Sequence, residues 1–412
     1  MIGNYTKSIK KNTSFILLKG KVTIPKSVHG VRMKENLDVF DFELFSSEMK
    51  VIESLVKKLI TRRQKMKASV FLKAGELAVK EVSKPEIDGE DQAIIRVVRS
   101  SVCGSDLWWF RGISNRPANS LTGHEAIGVV EEVSSDVKDI KPGDFVIVPF
   151  THGCGECVAC RNGFEGNCVR IAAQMNAGYQ AEYMKYMPAN NGLVKIPGQP
   201  SDYTDEQLAS LQALSDVMAT GFYAAKSAEV KVDDTVAVIG DGAVGLCGVI
   251  GAKLLGAKKI ILLSHHADRA ELGKEFGATD IVSERGDDAV EAVLKLTEDN
   301  AGVDAVLECV GAVSAIEQAG EIARPGAVIG RVGVPQTEPK SNQLFLKNVG
   351  LRGGIAAVTK PDKEILLQAV LDGKINPGKV FTKSFDLDHI QEAYEAMSNR
   401  EAIKSLLIVS DK

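Results

Sequence analysis

Four cysteines lie within the fifteen-residue stretch CGECVACRNGFEGNC. Successive cysteines are separated by two, two and seven other residues. Cys154, Cys157, Cys160 and Cys168 thus have the spacing C-x2-C-x2-C-x7-C, and the glycines between them allow tight turns. Four thiolates around one ion form the usual closed, structural zinc site. The spacing therefore predicts a structural zinc, with an iron–sulfur cluster as the alternative.

A second group of residues could hold a metal ion that takes part in chemistry. Cys103 lies in SVCGSD, His124 and Glu125 lie in LTGHEAIG, and Asp216 lies in ALSDVMATG. Sulfur, nitrogen and oxygen ligands from three residues would leave zinc a fourth position for water or substrate. Each residue alone is weak evidence for a metal site, since a lone cysteine is usually a small buried hydrophobe and an Asp after Ser is often a helix cap.

The stretch VAVIGDGAVGL has the spacing of a dinucleotide-binding turn. Gly240 permits the turn, Gly242 lets a pyrophosphate approach the backbone, and Gly245 lets helix and strand pack closely. The turn follows a predicted strand, opens a predicted helix, and lies about twenty residues before the strand end IILLS. We assign these glycines and Val244 to cofactor binding.

The end of the second strand decides which nicotinamide cofactor is expected. NAD enzymes usually place Asp or Glu there, whereas this chain has Ser264, His265 and His266, followed by Arg269. Hydroxyl, imidazole and guanidinium groups can donate to a 2′-phosphate. The sequence predicts NADP(H). A solvated loop is the alternative, and Asp268 nearby keeps NAD(H) possible.

The composition is that of an ordinary globular protein. The 412 residues, 44% hydrophobic and 25% charged, suffice for two domains and a remainder. A formal charge of -4 offers no field for nucleic acid or an anionic membrane. Asp241 and Lys253 interrupt the most apolar long stretch, so no membrane span is expected. We predict a cytoplasmic protein with a small-molecule partner.

The residues that carry this chemistry fall into two kinds of pattern. From Met66 onward, short strand-like runs alternate with turn residues, which is typical of an all-β unit. From Thr235 to Ile281, strands and helices alternate, which predicts βαβ units and a parallel sheet.

Met66 to Lys412 resembles a zinc-dependent alcohol dehydrogenase of the medium-chain dehydrogenase/reductase family. The motifs are CGSD, GHEAIGVVEEV, KPGDFVIVPF, the four-cysteine loop, SDVMATGF and VAVIGDGAVGL, in the family's order and spacing. The resemblance implies an α/β protein: a GroES-like β-rich catalytic domain at 66–217, a Rossmann doubly wound parallel-sheet domain at 218–356, and a return to the catalytic domain at 357–412.

The resemblance also implies a catalytic zinc in the cleft between the domains. Its ligands would be Cys103, His124 and Asp216, with Glu125 close enough to exchange onto the metal, which makes two zinc ions per chain. The Asp ligand resembles that of bacterial secondary-alcohol dehydrogenases, whereas the family often has cysteine as its third zinc ligand. A homodimer or homotetramer is implied as well.

Ser105 matches the hydroxyl that takes the alcohol proton in this family, and its alternative role is that of a turn residue. Many relatives carry a histidine five residues after the first zinc cysteine, whereas this chain has Trp108. The proton must leave by another route, through the cofactor ribose or water. Trp108, Trp109 and Phe110 either wall an apolar substrate pocket or are ordinary core aromatics.

The predicted function is the reversible oxidation of an alcohol to an aldehyde or ketone with NADP(H). A polyol or threonine dehydrogenase that uses NAD is the alternative within this fold. From another class, the chain could be a zinc-stabilised nucleotide-binding protein without catalysis.

The segment IPKSVHGVRMKENLDVFDFEL, and about residues 16–56 around it, resemble the C-terminal end of an aldo-keto reductase. In that family Lys26, Ser27, Arg32 and Asn36 would hold the 2′-phosphate of NADPH. No barrel precedes the segment, and a barrel core closes only with all eight strands. We predict that residues 1–65 are a poorly ordered relic of a fusion or of two joined reading frames. Alternatively, Lys26 and Arg32 lend the dehydrogenase a phosphate contact.

Overall fold

The computed structural model describes residues 65–171, 178–336 and 341–411. The predictions for the aldo-keto-reductase-like segment, including its poor order and the phosphate contacts of Lys26 and Arg32, lie outside these residues. Contacts group Met66–Lys412 into one compact unit.

A mostly antiparallel sheet forms the β-rich part of this unit. The strands of this part are β1 (Lys65–Lys73), β2 (Glu76–Ser83), β3 (Ala93–Ser101), β4 (Ala126–Val133), β5 (Phe145–Val148), β6 (Tyr183–Tyr186), β7 (Val194–Ile196), β14 (Phe381–Asp386) and β15 (Lys404–Ile408). The strand order of the sheet is β14-β15-β3-β4-β5-β7, and β6 pairs with β3. Strands β1 and β2 pair separately. Because β15 pairs with β3, the chain returns to this sheet near its C-terminal end.

A parallel sheet lies between these two passages of the chain. Its strands are β8 (Thr235–Ile239), β9 (Lys259–Leu263), β10 (Asp280–Val282), β11 (Val303–Glu308), β12 (Ala323–Arg331) and β13 (Gly350–Gly353). The order is β10-β9-β8-β11-β12-β13, which runs outward in both directions from β8 and is the doubly wound arrangement. The central strands β8 and β11 are mostly buried, as expected where helices cover both faces of such a sheet. The predicted α/β fold class is confirmed.

The helices connect the strands of the two sheets. No helix in the described part of the chain combines the length and the apolar character needed to cross a membrane. The helices are α1 (Asp106–Phe110), α2 (Val158–Arg161), α3 (Ala189–Gly192), α4 (Asp205–Ala213), α5 (Val217–Ser227), α6 (Ala243–Leu254), α7 (Ala267–Phe276), α8 (Gly286–Lys295), α9 (Val313–Ile322), α10 (Ser341–Leu346), α11 (Lys360–Leu371) and α12 (Ile390–Ser398).

The largest buried apolar cluster joins both sheets through helix α5. It combines Ile127 and Ile147 of the antiparallel sheet with Met218 of α5 and Val236 and Val238 of the parallel sheet. The start of α5 therefore lies where the two sheets meet, and Asp216 directly precedes that start.

Candidate metal centres and cofactor site

Strand pairing brings the predicted catalytic residues together. Strand β3 ends two residues before Cys103, and β4 begins directly after Glu125. Because Ser100 pairs with Ala126 across the antiparallel ladder, Cys103 and Glu125 lie at the same end of the two strands. Asp216 reaches this place from the start of α5.

Cys103, His124, Glu125 and Asp216 each offer one ligand atom, and these atoms lie within 4.8 Å of one another. Asp216 Oδ2 is 3.4 Å from Cys103 Sγ and 3.5 Å from His124 Nε2. His124 Nε2 is 3.9 Å from Glu125 Oε1. The donor set therefore fits a zinc ion, with one thiol, one imidazole and one carboxylate around a common point and a second carboxylate beside them.

Charges around the cluster shift the pKa values of its members. Burial raises the pKa of the Cys103 thiol, and Asp216 raises it further. Burial opposes ionisation of Asp216, but the hydrogen bond and charge of His124 lower the pKa of Asp216 to about 2. Likewise, burial opposes the charge of His124, but Asp106 and Cys103 raise its pKa well above the usual value. A proton on His124 thus supplies positive charge to an acidic cluster, and a divalent cation would supply the same.

Two further side chains orient the predicted ligands. Asp106 Oδ1 lies 3.5 Å from His124 Nδ1, and Asp106 Oδ2 accepts a hydrogen bond from the Cys103 backbone N at 3.1 Å. Thr220 Oγ1 donates to Asp216 Oδ1 at 2.7 Å. Asp216 occupies the N-cap position of α5 without a side-chain cap bond, so its second oxygen faces Cys103 and His124. Such outer contacts fix ligand orientation.

Glu125 is held by a fully buried ion pair. Its Oε1 accepts from Lys404 Nζ at 2.7 Å, and its Oε2 accepts from Ser101 Oγ at 2.7 Å. Burial raises the pKa of Glu125, and Lys404 opposes that shift. Burial alone would lower the pKa of Lys404, but Glu125 raises it. Two close donors thus favour the ionised carboxylate.

The four cysteines of the loop also converge, with ligand atoms within 4.8 Å of one another. Cys157 Sγ is 3.4 Å from Cys160 Sγ and 3.8 Å from Cys168 Sγ. Backbone N–H groups, first that of Cys160, lower the pKa of Cys157 to about 6, whereas burial raises the pKa of Cys160 to about 12. Four thiolates this close need a cation between them, and the set fits zinc.

Ser105 is exposed and directly precedes α1, where its side chain makes no cap hydrogen bond to that helix. Trp108 is half-buried. Trp109 and Phe110 lie in the core instead, each with its ring centroid 5.3 Å from that of Tyr394. The core interpretation therefore holds for these two aromatics, and of the three only Trp108 is left as a candidate pocket wall.

The glycine turn has the geometry that a pyrophosphate needs. Gly240 has a φ of 109°, which favours glycine. A Cβ at Gly242 would meet no heavy atom within 4 Å, so the space in front of the turn is open. A Cβ at Gly245 would lie 1.9 Å from the Gly240 carbonyl oxygen, so helix α6 can approach only because this residue is glycine. The turn thus fits a dinucleotide.

The predicted 2′-phosphate residues follow strand β9, which lies beside β8. Ser264 is buried, and its Oγ donates to Asp241 Oδ2 at 2.9 Å. Arg269 Nη1 donates to Asp241 Oδ1 at 3.2 Å. His265 is exposed, and its Nδ1 lies 2.7 Å from the Ser283 carbonyl oxygen, to which it must donate. His266 occupies the N-cap position of α7.

Two family profiles match the chain. Residues 89–198 match the alcohol dehydrogenase GroES-like domain, and residues 243–370 match the zinc-binding dehydrogenase domain. The chain is 32% identical to the NADP-dependent isopropanol dehydrogenase of Clostridium beijerinckii, over 84% of this chain and 100% of that protein. The chain belongs to the zinc-dependent alcohol dehydrogenases of the medium-chain dehydrogenase/reductase family. Membership indicates a dehydrogenase that uses zinc and a nicotinamide cofactor.

Further relatives agree with this placement. Zinc-type alcohol dehydrogenase B of Aspergillus flavus is 31% identical over 82% of this chain and 79% of that protein. Among solved structures, alcohol dehydrogenase TADH from Thermus sp. ATN1 superposes with a TM-score of 0.75, at 31% identity, over 84% of this chain and 100% of its own. The family predicted from the sequence is confirmed.

Sequence reasoning missed several residues that contact the candidate metal ligands or lie in the cofactor turn, Ser101 among them. Asp106 stands three residues after Cys103, and Thr220 stands one helical turn after Asp216. Both spacings are local signals of a turn or helix contact. Lys404 is 279 residues from Glu125 along the chain and gives no local signal. In the sequence, Asp241 stands out only as a charge that interrupts an apolar stretch.

Proposed function

We propose that this protein interconverts an alcohol and its aldehyde or ketone by hydride transfer with NADP(H). The convergence of Cys103, His124 and Asp216 on one point, next to Glu125, is the observation that carries the proposal. A site built only to stabilise the fold would close four protein ligands around the metal, as the cysteine loop does. Both oxygens of Glu125 are engaged by Lys404 and Ser101, so the thiol, imidazole and carboxylate of the other three residues would leave a fourth position for a substrate oxygen.

The proposed assignment gives zinc to Cys103, His124 and Asp216, and a second zinc to Cys154, Cys157, Cys160 and Cys168. Zinc in the first site would supply a Lewis acid that favours loss of the alcohol proton.

The residues of the chain would perform the remaining steps. Ser105 Oγ would accept the alcohol proton as its own hydroxyl proton passes to water, which its exposure allows without the histidine that Trp108 replaces. Trp108 would offer an apolar wall to the substrate, and a bound nicotinamide would supply the hydride acceptor. The substrate is then a small alcohol or carbonyl compound.

The preference for NADP(H) is proposed on the groups after strand β9. Arg269 can donate to a 2′-phosphate, and His266 opens a helix there. The relatives named NADP-dependent isopropanol dehydrogenase, from Clostridium beijerinckii and Thermoanaerobacter brockii, support this choice.

The test is aldehyde-dependent oxidation of NADPH and of NADH, measured for the full chain and for a protein that starts at Met66. The proposal expects activity with NADPH in both proteins and about two zinc ions per chain by elemental analysis. A chain with one zinc and no turnover of any alcohol or aldehyde would support the non-catalytic nucleotide-binding alternative instead.

A matched pair of variants connects the activity to the site. His124→Gln should lower kcat/KM by more than about a hundredfold, because outer contacts of a metal site alone account for ten- to a hundredfold. His389→Gln changes an exposed histidine that pairs with Asp386, and it should leave kcat/KM unchanged. Equal activity in both variants would contradict the proposed site.

A further inference from the structure

Asp241 of the glycine turn reaches the residues that are proposed to recognise the 2′-phosphate. Its two carboxylate oxygens accept from Ser264 Oγ at 2.9 Å and from Arg269 Nη1 at 3.2 Å. The side chains of Asp241 and Arg269 are each 15% exposed, and Ser264 is 1% exposed. An acidic group therefore lies at the end of strand β9, although it comes from the glycine turn and not from the residues that follow β9.

The position of this carboxylate matters because of where a dinucleotide binds in such folds. The pyrophosphate lies on the glycine turn, and the adenosine ribose lies at the end of the second strand. Asp241 stands between Gly240 and Gly242, and it contacts the residue directly after β9. Its carboxylate thus lies beside the expected 2′ position.

Two consequences follow for the charge at this position. A carboxylate can accept a hydrogen bond from a 2′-hydroxyl, which is the usual means of binding NAD. A 2′-phosphate instead carries between one and two negative charges, so Asp241 repels it. Asp241 also engages the Ser264 hydroxyl and one Arg269 nitrogen that the phosphate would need.

The geometry points to Asp241 as a specificity-determining residue that restrains the preference for NADP(H) and permits use of NAD(H). This inference rests on the proposed function, since it needs Arg269 to be the 2′-phosphate partner. Ser264 and Arg269 alone would form a phosphate-binding pair, and the carboxylate between them turns the pair into one that accepts either cofactor.

The test compares Asp241→Asn with a matched control. Asn keeps the size of the side chain and can still accept from Ser264, but it removes the charge. Asp268→Asn removes the same charge from an exposed residue next to Arg269, outside the contacts of Asp241. Arg269→Gln tests the phosphate partner itself. Asp241→Ala is the second variant, should Asn perturb the turn.

Two readouts are needed. Isothermal titration calorimetry with adenosine 2′,5′-bisphosphate and with adenosine 5′-monophosphate measures the 2′-phosphate contribution without the nicotinamide or turnover. Steady-state kcat/KM values for NADPH and NADH then report the selectivity of the working enzyme.

Asp241→Asn and Asp241→Ala should strengthen binding of the bisphosphate about tenfold relative to the monophosphate and raise the NADPH to NADH ratio of kcat/KM by a similar factor. Asp268→Asn should change either quantity less than twofold. Weaker bisphosphate binding in both Asp241 variants would overturn the inference, because Asp241 would then hold Arg269 in place for the phosphate. An equal effect of Asp268→Asn would overturn it as well.

A different result would contradict the proposed NADP(H) preference itself. Arg269→Gln would then leave bisphosphate binding and NADPH use unchanged. If Arg269→Gln weakens both and the Asp241 variants change nothing, the preference stands and the inference about Asp241 is wrong.

Discussion

Replacing Lys404 by Met tests the buried ion pair behind the metal centre. Lys404 and Glu125 have side chains that are 1% and 0% exposed, and Nζ lies 2.7 Å from Oε1. Lys404 Nζ also donates to the Val102 carbonyl oxygen at 2.9 Å. Methionine fills a similar volume without the charge, so the variant leaves Glu125 with the Ser101 hydroxyl as its described donor.

The size of the effect follows from this geometry. Opposite unit charges at 2.7 Å attract by about 6 kcal/mol at an effective dielectric constant of about 20, which is an upper limit. Removal of one partner from a buried pair costs about 3–5 kcal/mol, because the other charge stays buried without compensation. We expect Lys404→Met to lower the free energy of unfolding by that amount. Adding Glu125→Gln should recover at least about 2 kcal/mol.

Guanidinium unfolding at a fixed zinc concentration measures this loss. Tryptophan fluorescence reports the part of the chain that contains the site, since both tryptophans of the chain, Trp108 and Trp109, lie in α1. Lys383→Met is the matched control. Lys383 pairs with Glu401 at a similar 2.8 Å, but the two side chains are 40% and 55% exposed, so its loss should cost less than about 1 kcal/mol. A Lys404→Met loss below about 1 kcal/mol, or a double variant no more stable than the single one, would refute the reasoning.

Two further predictions concern the cofactor turn and the cysteine loop. Gly245→Ala should destabilise the protein by about 1–3 kcal/mol or more, because its Cβ would lie 1.9 Å from the Gly240 oxygen. Gly242→Ala should leave the melting temperature unchanged but weaken NADPH binding measured by fluorescence, since its Cβ enters only the open space; equal melting temperatures for the two variants would contradict this. Cys168→Ser should remove one zinc ion per chain by elemental analysis and lower the melting temperature, whereas Cys247→Ala, outside the loop, should retain full zinc content.

Residues that act through local spacing could be found from the sequence. The four cysteines fall within one short loop, and the glycines of VAVIGDGAVGL act within one turn, so their arrangement is encoded over a few positions. The alternation of strands and helices likewise predicts the parallel sheet. The candidate ligands of the catalytic zinc are farther apart in the sequence: Cys103, His124, Glu125 and Asp216. The family resemblance, more than their spacing, predicts that they form one site.

Contacts that depend on pairing of distant strands could not be found in this way. Lys404 meets Glu125 only because β15 pairs with β3 and β3 pairs with β4. Local patterns carry no register between strands that are hundreds of residues apart. Asp241 illustrates a different limit. The sequence at the end of β9 favours NADP(H), but parallel pairing of β8 and β9 brings a carboxylate from the preceding turn to the same place.

The carboxylates of Glu125 and Asp241 each pair with a cation, Lys404 and Arg269 respectively, but the two ion pairs differ in length and burial. Glu125 is held by Lys404 in an ion pair whose side chains are 0% and 1% exposed, so ligands have little access to that pair. The Asp241–Arg269 contact is longer, at 3.2 Å, and both side chains are partly exposed. A ligand phosphate can compete for such a pair, because it would offer Arg269 a second anionic acceptor. Under the inference about Asp241, a single substitution there changes cofactor selection, whereas replacing the Lys404–Glu125 pair requires substitutions at two positions 279 residues apart.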